Sequence, residues 1–123
     1  MDTKQLLVRY YAGIARKDGW EAVLSEDFKF TGGDMTKQEP LVGKAAYRGV
    51  IARFSRVYQT VRVAEMIVEG NAAFVRAHYD YVFPGDNRIS GDVAEWWKVK
   101  NQLLDELTIF FDTLTFEKLT RRP

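Results

Sequence analysis

The run AAFVRAHYDYVF, residues 72–83, sets Arg76, His78 and Asp80 two positions apart. At the two-residue period of a β-strand the three share one face. Glu95 and Trp97 do the same in a later run, RISGDVAEWWKV. Polar groups repeating among bulky apolar ones can line a pocket, and these suit acid–base work. Histidine changes charge near neutral pH, and carboxylates take up and return protons. Asp112, at the end of LLDELTIFFD, adds another carboxylate. Asp112 and Asp80 can share acid–base work, one carboxylate activating water and the other, protonated, giving a proton to an oxygen. Arg76 then holds both through paired hydrogen bonds. The same Arg76 and Asp80 also suit a solvated ion pair of small energetic weight, and a lone strand histidine also suits packing.

Composition narrows the chemistry. The chain has 123 residues, 46% hydrophobic and 14% aromatic, in one continuous pattern that reads as a single domain. Its net charge of +1, from 18 basic and 17 acidic residues, makes no electrostatic case for nucleic acid or a membrane surface. There is no cysteine, which excludes disulfides and thiolate chemistry, and one histidine argues against a zinc centre. No metal or cofactor is expected. No apolar run has the length of a membrane span or a signal peptide, which points to the cytoplasm.

The elements that must position these residues follow from periodicity. Leu6, Leu7, Tyr10, Tyr11 and Ile14 predict an amphipathic helix over 3–17, capped by Thr3 or Asp2 and broken at Asp18-Gly19. WEAVL predicts a short second helix, and Phe28 and Phe30 a short strand, with a loop to Pro40. KAAYRGVIARFSRVY predicts a third helix with an Ala46, Val50, Phe54, Val57, Tyr58 stripe; Gly49 within it suggests close packing. From Thr60 the period becomes two, and a strand and a three-strand meander follow, with Gly91 marking a bulge or bend. Helices first and strands afterwards predict an α+β fold: three N-terminal helices packed on a strongly curved antiparallel sheet, a cone with an open mouth. Such cavities are common ligand sites.

In element order, and in the phrases DGWEAVLSEDFKF, GKAAYRGVIARF and LLDELTIFFD, the chain resembles the nuclear transport factor 2-like superfamily, the cystatin-like cone fold. Its members include ketosteroid isomerases, SnoaL-like polyketide cyclases, limonene epoxide hydrolases and scytalone dehydratases. GDMTKQEPLVGKAAYRG is similar to the isomerase segment around its proton-shuttling aspartate, which implies Asp34 as a base. By the same resemblance Tyr10 stabilises an oxyanion and Glu95, in its protonated form, donates a second hydrogen bond. TIFFDTLTF is similar to the closing strand of the epoxide hydrolases, which implies a catalytic Asp112, although His78 breaks that family's Arg-x-Asp pattern. The dehydratases pair a histidine with an aspartate, which implies His78 with Asp34 or Asp112. Asp34 after two glycines also suits a turn.

The expected polar pocket residues are therefore Tyr10, Asp34, His78, Glu95 and Asp112. Trp20, Phe54, Tyr58 and Trp97 form the apolar wall, and Arg76 contacts the ligand. The expected ligand is a small, largely apolar or aromatic, oxygen-bearing molecule. The expected chemistry, if any, is cofactor-free: isomerisation, cyclisation, hydration or dehydration. The alternative is a non-catalytic binding or interaction module. Adjacent Trp96 and Trp97 point to opposite faces, and the outward one suggests a homodimer through the sheet.

Overall fold

Five residues at helical spacing, Leu6, Leu7, Tyr10, Tyr11 and Ile14, are all buried by helix α1 (Thr3–Arg16) in the computed structural model, which describes residues 1–32 and 39–120. Asp2, not Thr3, caps this helix. Its carboxylate accepts from the Gln5 amide at 2.8 Å, and the Gln5 side chain accepts from the Asp2 amide at 2.9 Å. That reciprocal box satisfies two amides the helix leaves over. The chain leaves α1 through Lys17 and Gly19, both at positive φ, and enters a 3-10 turn at Trp20–Val23. Gly13 permits that reversal, because a Cβ there would lie 2.7 Å from the Trp20 backbone.

The six strands are β1 (Leu24–Thr31), β2 (Leu41–Val42), β3 (Tyr58–Glu69), β4 (Ala72–Phe83), β5 (Asn87–Lys100) and β6 (Leu103–Phe110). They lie in the order β2-β1-β6-β5-β4-β3. The meander from β3 to β6 is antiparallel as expected. The pair β1–β6 is parallel, so the sheet is mixed rather than wholly antiparallel. These strands are joined through α2 and the whole meander, and so long a connection allows parallel pairing where a hairpin does not. The expected architecture otherwise stands: α+β, with helices on a curved open sheet.

Other differences are local. Helix α2 (Lys44–Phe54) stops four residues early, and Tyr58 opens β3 instead. It buries Tyr47 and Ile51, while Ala46, Val50 and Phe54 of the predicted stripe are half-buried. A Cβ on Gly49 would meet only the end of Arg53 at 3.8 Å, so no close packing requires that glycine. Strand β2, at two residues, and helix α3 (Thr113–Thr120), at eight, are too short for periodicity to reveal. No bulge occurs at Gly91: β4 and β5 pair without a break from Ala72↔Lys98 to Phe83↔Asn87. That unbroken register decides the tryptophans. Trp97 faces inward and is fully buried, and Trp96 faces outward, 43% exposed.

The inner faces of β4, β5 and β6 supply Ala73, Val75, Ala77, Tyr79, Tyr81, Val93, Trp97, Leu104 and Leu107 to one core shared with α1 and α2. Among the described residues no helix is long and apolar enough to cross a membrane.

Candidate active site

The core does not fill the cone. A cavity of about 840 Å³ opens between α2, α3 and the inner sheet face. Its wall includes Ile14, Val50, Phe54, Val57, Val93, Leu107 and Phe116, and its buried polar groups are four tyrosines and one deep carboxylate.

That carboxylate is Glu95, 5% exposed in the middle of β5. Alternation sends Glu95 inward with Val93 and Trp97, and the register sets it opposite Val75 on β4. Its Oε1 accepts from the Tyr11 hydroxyl on α1, and its Oε2 from the Tyr79 hydroxyl on β4 at 2.9 Å. Trp97 Nε1 in turn donates to the Tyr11 oxygen at 2.9 Å. A second pair sits beside this one: the Tyr10 and Tyr47 hydroxyls are 2.6 Å apart, and both residues line the cavity. No buried side-chain polar atom among the described residues lacks a partner.

Burial raises the Glu95 carboxyl to about 7, with the hydrogen bonds from Tyr11 and Tyr79 pulling the other way. Burial also pushes Tyr10, Tyr11, Tyr47 and Tyr79 well above the usual phenol value, so all four stay neutral donors. The chemistry on offer is a carboxyl group that gains or loses a proton near neutral pH, next to hydroxyls that cannot ionise. In the Tyr10–Tyr47 pair one hydroxyl donates to the other, so the acceptor's own hydrogen remains available to a ligand oxygen.

The expected site residues divide sharply. Tyr10, Glu95 and Phe54 line the cavity together. Asp34 lies outside the described residues. Trp97, Trp20 and Tyr58 are buried behind the wall rather than in it. Trp97 packs on Tyr10 at 4.7 Å and Trp20 on Tyr47 at 5.7 Å, while Tyr58 donates to the Ile14 carbonyl at 2.7 Å. Arg76 and His78 correct the sequence reading, because they face outward. Arg76 pairs with Asp92 at 2.6 Å and Glu65 at 3.0 Å; His78 Nδ1 lies 2.7 Å from Asp92 and its Nε2 3.6 Å from Asp80. Asp80 accepts from Ser90 at 2.6 Å and from Thr60 on the same outer face. Asp112 is a second correction. It is exposed and caps α3, accepting from the Thr115 amide at 3.0 Å and the Thr115 hydroxyl at 2.7 Å. Those bonds hold its carboxyl below the usual range.

Sequence reasoning missed Tyr11, Tyr47 and Tyr79. The signal for Tyr79 was present in β4, whose odd positions read Ala, Val, Ala, Tyr, Tyr, Phe while Arg76, His78 and Asp80 stand at even ones. Charge on one face and none on the other marks the charged face as the solvated one.

No group of histidine, cysteine and carboxylate side chains among the described residues has the arrangement of a metal site. The model of the SnoaL-like domain matches residues 7–107. No curated protein matches the sequence. Among solved structures, the chain is similar to TerC co-crystallised with polyporic acid, with 20% identity, TM-score 0.80, and 94% of this chain and 95% of that one covered. It is similar to an NTF2-like protein of unknown function from Burkholderia pseudomallei K96243, with 19% identity, TM-score 0.82, and 97% of each chain covered. It is also similar to a hypothetical protein with a ketosteroid isomerase-like fold from Catenulispora acidiphila DSM 44928, in complex with trimethylamine, with 12% identity, TM-score 0.77, and 98% and 95% covered. At such identities the structures establish the fold. With the domain match across 7–107, they show that the chain belongs to the SnoaL-like domain family of the nuclear transport factor 2-like superfamily.

Proposed function

We propose that this is a cytoplasmic, cofactor-free acid–base enzyme that moves a proton on a small, largely apolar, oxygen-bearing molecule held in the cone. One observation carries the reading: the buried carboxyl of the cavity is Glu95, bonded to two tyrosines and poised near neutral pH. A general base works best with its pKa near the operating pH. Ionised Glu95 takes a proton from a carbon next to a carbonyl. The C–H electron pair moves into the carbonyl, and the free hydroxyl of the Tyr10–Tyr47 pair donates to the oxygen that becomes charged. Return of the proton to another carbon completes an isomerisation; attack of the enolate carbon on a second carbonyl completes a cyclisation. The small molecules bound by TerC and the Catenulispora protein support a ligand-holding cone.

The test is solvent deuterium exchange at the carbon beside the carbonyl in a panel of bicyclic ketones, followed by NMR. The wild type exchanges a ketone it binds, and Glu95→Gln binds that ketone without exchanging it. Binding without exchange by the wild type would make the cone a receptor rather than an enzyme.

A second copy of the chain is the proposed partner. Ile67, Phe74 and Trp96 are cross-strand neighbours on the outer face, 65%, 43% and 43% exposed. Next to them lie charges of both signs, Glu65, Arg76 and Asp92. A two-fold interface presents one patch to itself, and a patch carrying both signs can satisfy that condition.

A further inference from the structure

The mouth of the cavity carries charge that the chemistry at Glu95 does not use. Arg53 and Arg56 both line it, at the end of α2. The helical turn continues past Phe54, with the Arg56 amide donating to the Arg53 carbonyl at 3.3 Å and the Val57 amide to the Phe54 carbonyl at 3.0 Å. Residues three apart on such a turn are side-by-side neighbours. Both are exposed, and neither has a side-chain hydrogen bond or ion pair among the described residues. Three of the six other exposed arginines among the described residues are ion-paired: Arg48 with Glu21, Arg76 with Glu65 and Asp92, and Arg88 with Asp86. Adjacent like charges repel. The α2 C-terminus favours a cation in its last turn, but that accounts for neither the doubling nor the direction into the cavity.

Between the two arginines in sequence stand Phe54 and, just beyond, Val57, both in the cavity wall. Phe54 packs on Tyr79 with ring centroids 5.3 Å apart, and Tyr79 bonds Glu95. The wall therefore runs from guanidinium groups at the mouth, across an aromatic surface, to the carboxyl in the depth. The acidic residues of the mouth come from other elements, Glu39 before β2 and Glu117 on α3, and Glu117 already has an interaction of its own.

We propose that the substrate is an apolar-bodied carboxylate, its anionic group held by Arg53 and Arg56 at the mouth and its reacting carbonyl at Glu95. This rests on the cone being a ligand site and goes further in naming the ligand's chemical class. A planar carboxylate takes two parallel hydrogen bonds from a guanidinium, which an ester cannot match in strength. The anion at the far end also keeps the substrate's own charge away from ionised Glu95.

The probes are 6-hydroxy-2-naphthoate, its methyl ester and 2-naphthol, titrated by fluorescence against the wild type and Arg53→Gln/Arg56→Gln. The expected result is about tenfold tighter binding of the acid than the ester by the wild type. The double variant brings the two within about twofold and leaves the ester where it was. Raising the salt should shrink the wild-type preference, since the arginines are exposed. Equal binding of acid and ester by the wild type overturns the carboxylate assignment while leaving the cone a binding site. A preference that survives the double substitution overturns the role of the arginines. Failure of all three probes to bind at any concentration removes the ligand site and this inference with it. If the double variant is poorly folded, the acid-to-ester ratio of the wild type at low and high salt decides the question alone.

Discussion

The indole N–H of Trp97 donates to the Tyr11 hydroxyl oxygen at 2.9 Å, and this one bond gives the Glu95 cluster a direction. An indole nitrogen only donates, so Tyr11 accepts there and must spend its own hydrogen on Glu95 Oε1. A proton arriving on Glu95 therefore belongs on Oε2, facing Tyr79. Tyr79 then accepts from the carboxylic acid, and its hydroxyl hydrogen turns towards the cavity. Protonation of Glu95 thus reaches the ligand through Tyr79. Tyr11→Phe breaks this at the root, stranding a buried indole N–H and removing a bond that holds the Glu95 carboxyl down. The expected cost is about 1–3 kcal/mol in urea unfolding, with a further rise in the Glu95 pKa. An unchanged unfolding midpoint would mean the bond does not order the cluster.

Stability should depend on pH through Glu95. Its carboxyl stands at about 7 in the folded protein against 4.5 ordinarily, so the folded state holds more protons between those values. Stability is then greatest below 4.5 as far as this group is concerned and falls as pH rises towards 7. A shift of that size corresponds to about 3 kcal/mol. Glu95→Gln keeps the shape, accepts from Tyr11 and donates to Tyr79 as the protonated acid does. Urea titrations from pH 5 to 8 should show the wild type losing stability while Glu95→Gln stays nearly level. Parallel curves for the two proteins would place the titrating group elsewhere.

Two glycines inside helices should respond oppositely to alanine. At Gly49 the new methyl has room, so Gly49→Ala should stabilise by about 0.5–1 kcal/mol through helix propensity. At Gly13 it would stand 2.7 Å from the Trp20 backbone, which no rotamer change relieves. Gly13→Ala should destabilise by about 1–3 kcal/mol and loosen the turn after α1. Thermal unfolding of both variants compares them directly. A neutral Gly13→Ala would show that the turn can move aside.

The outer face predicts the assembly state. Trp96→Glu puts a charge in the Ile67–Phe74–Trp96 row and should convert a dimer to a monomer in sedimentation velocity, with α1 and the cavity untouched. A wild-type monomer at high concentration rules the interface out, and a dimer indifferent to Trp96→Glu moves it to another face.

The fold was legible because its long elements repeat. Helix α1 shows five apolar residues at helical spacing, β4 alternates over its 12 residues, and β5 alternates from Val93 to Trp97. The site was legible only where the inward phase could be guessed. Tyr10 and Glu95 line the cavity, whereas Arg76 and His78 stand on the outer face of β4, where the plain alternation of charge along the strand puts them. Tyr47 was hidden in a helix whose apolar stripe is offset by one residue from the predicted one. Trp97 could not be phased until the register past Gly91 was known. Pairing between distant strands is a tertiary fact, which a local pattern does not contain.

Asp112 offers the clearest separation of a structural carboxylate from a catalytic one. It caps α3, and α3 brings Thr113 and Phe116 to the cavity wall. Asparagine is as good a helix cap as aspartate and alanine is not. Asp112→Asn should therefore leave unfolding temperature and turnover close to wild type. Asp112→Ala should lower the midpoint by roughly 2 to 5 °C and weaken ligand binding as α3 frays, without removing the proton-transfer step. A catalytic carboxylate behaves otherwise, since its amide can no longer take a proton and turnover falls by orders of magnitude in both variants. Loss of turnover in Asp112→Asn with folding and binding intact would return Asp112 to the reaction and require α3 to open during the cycle.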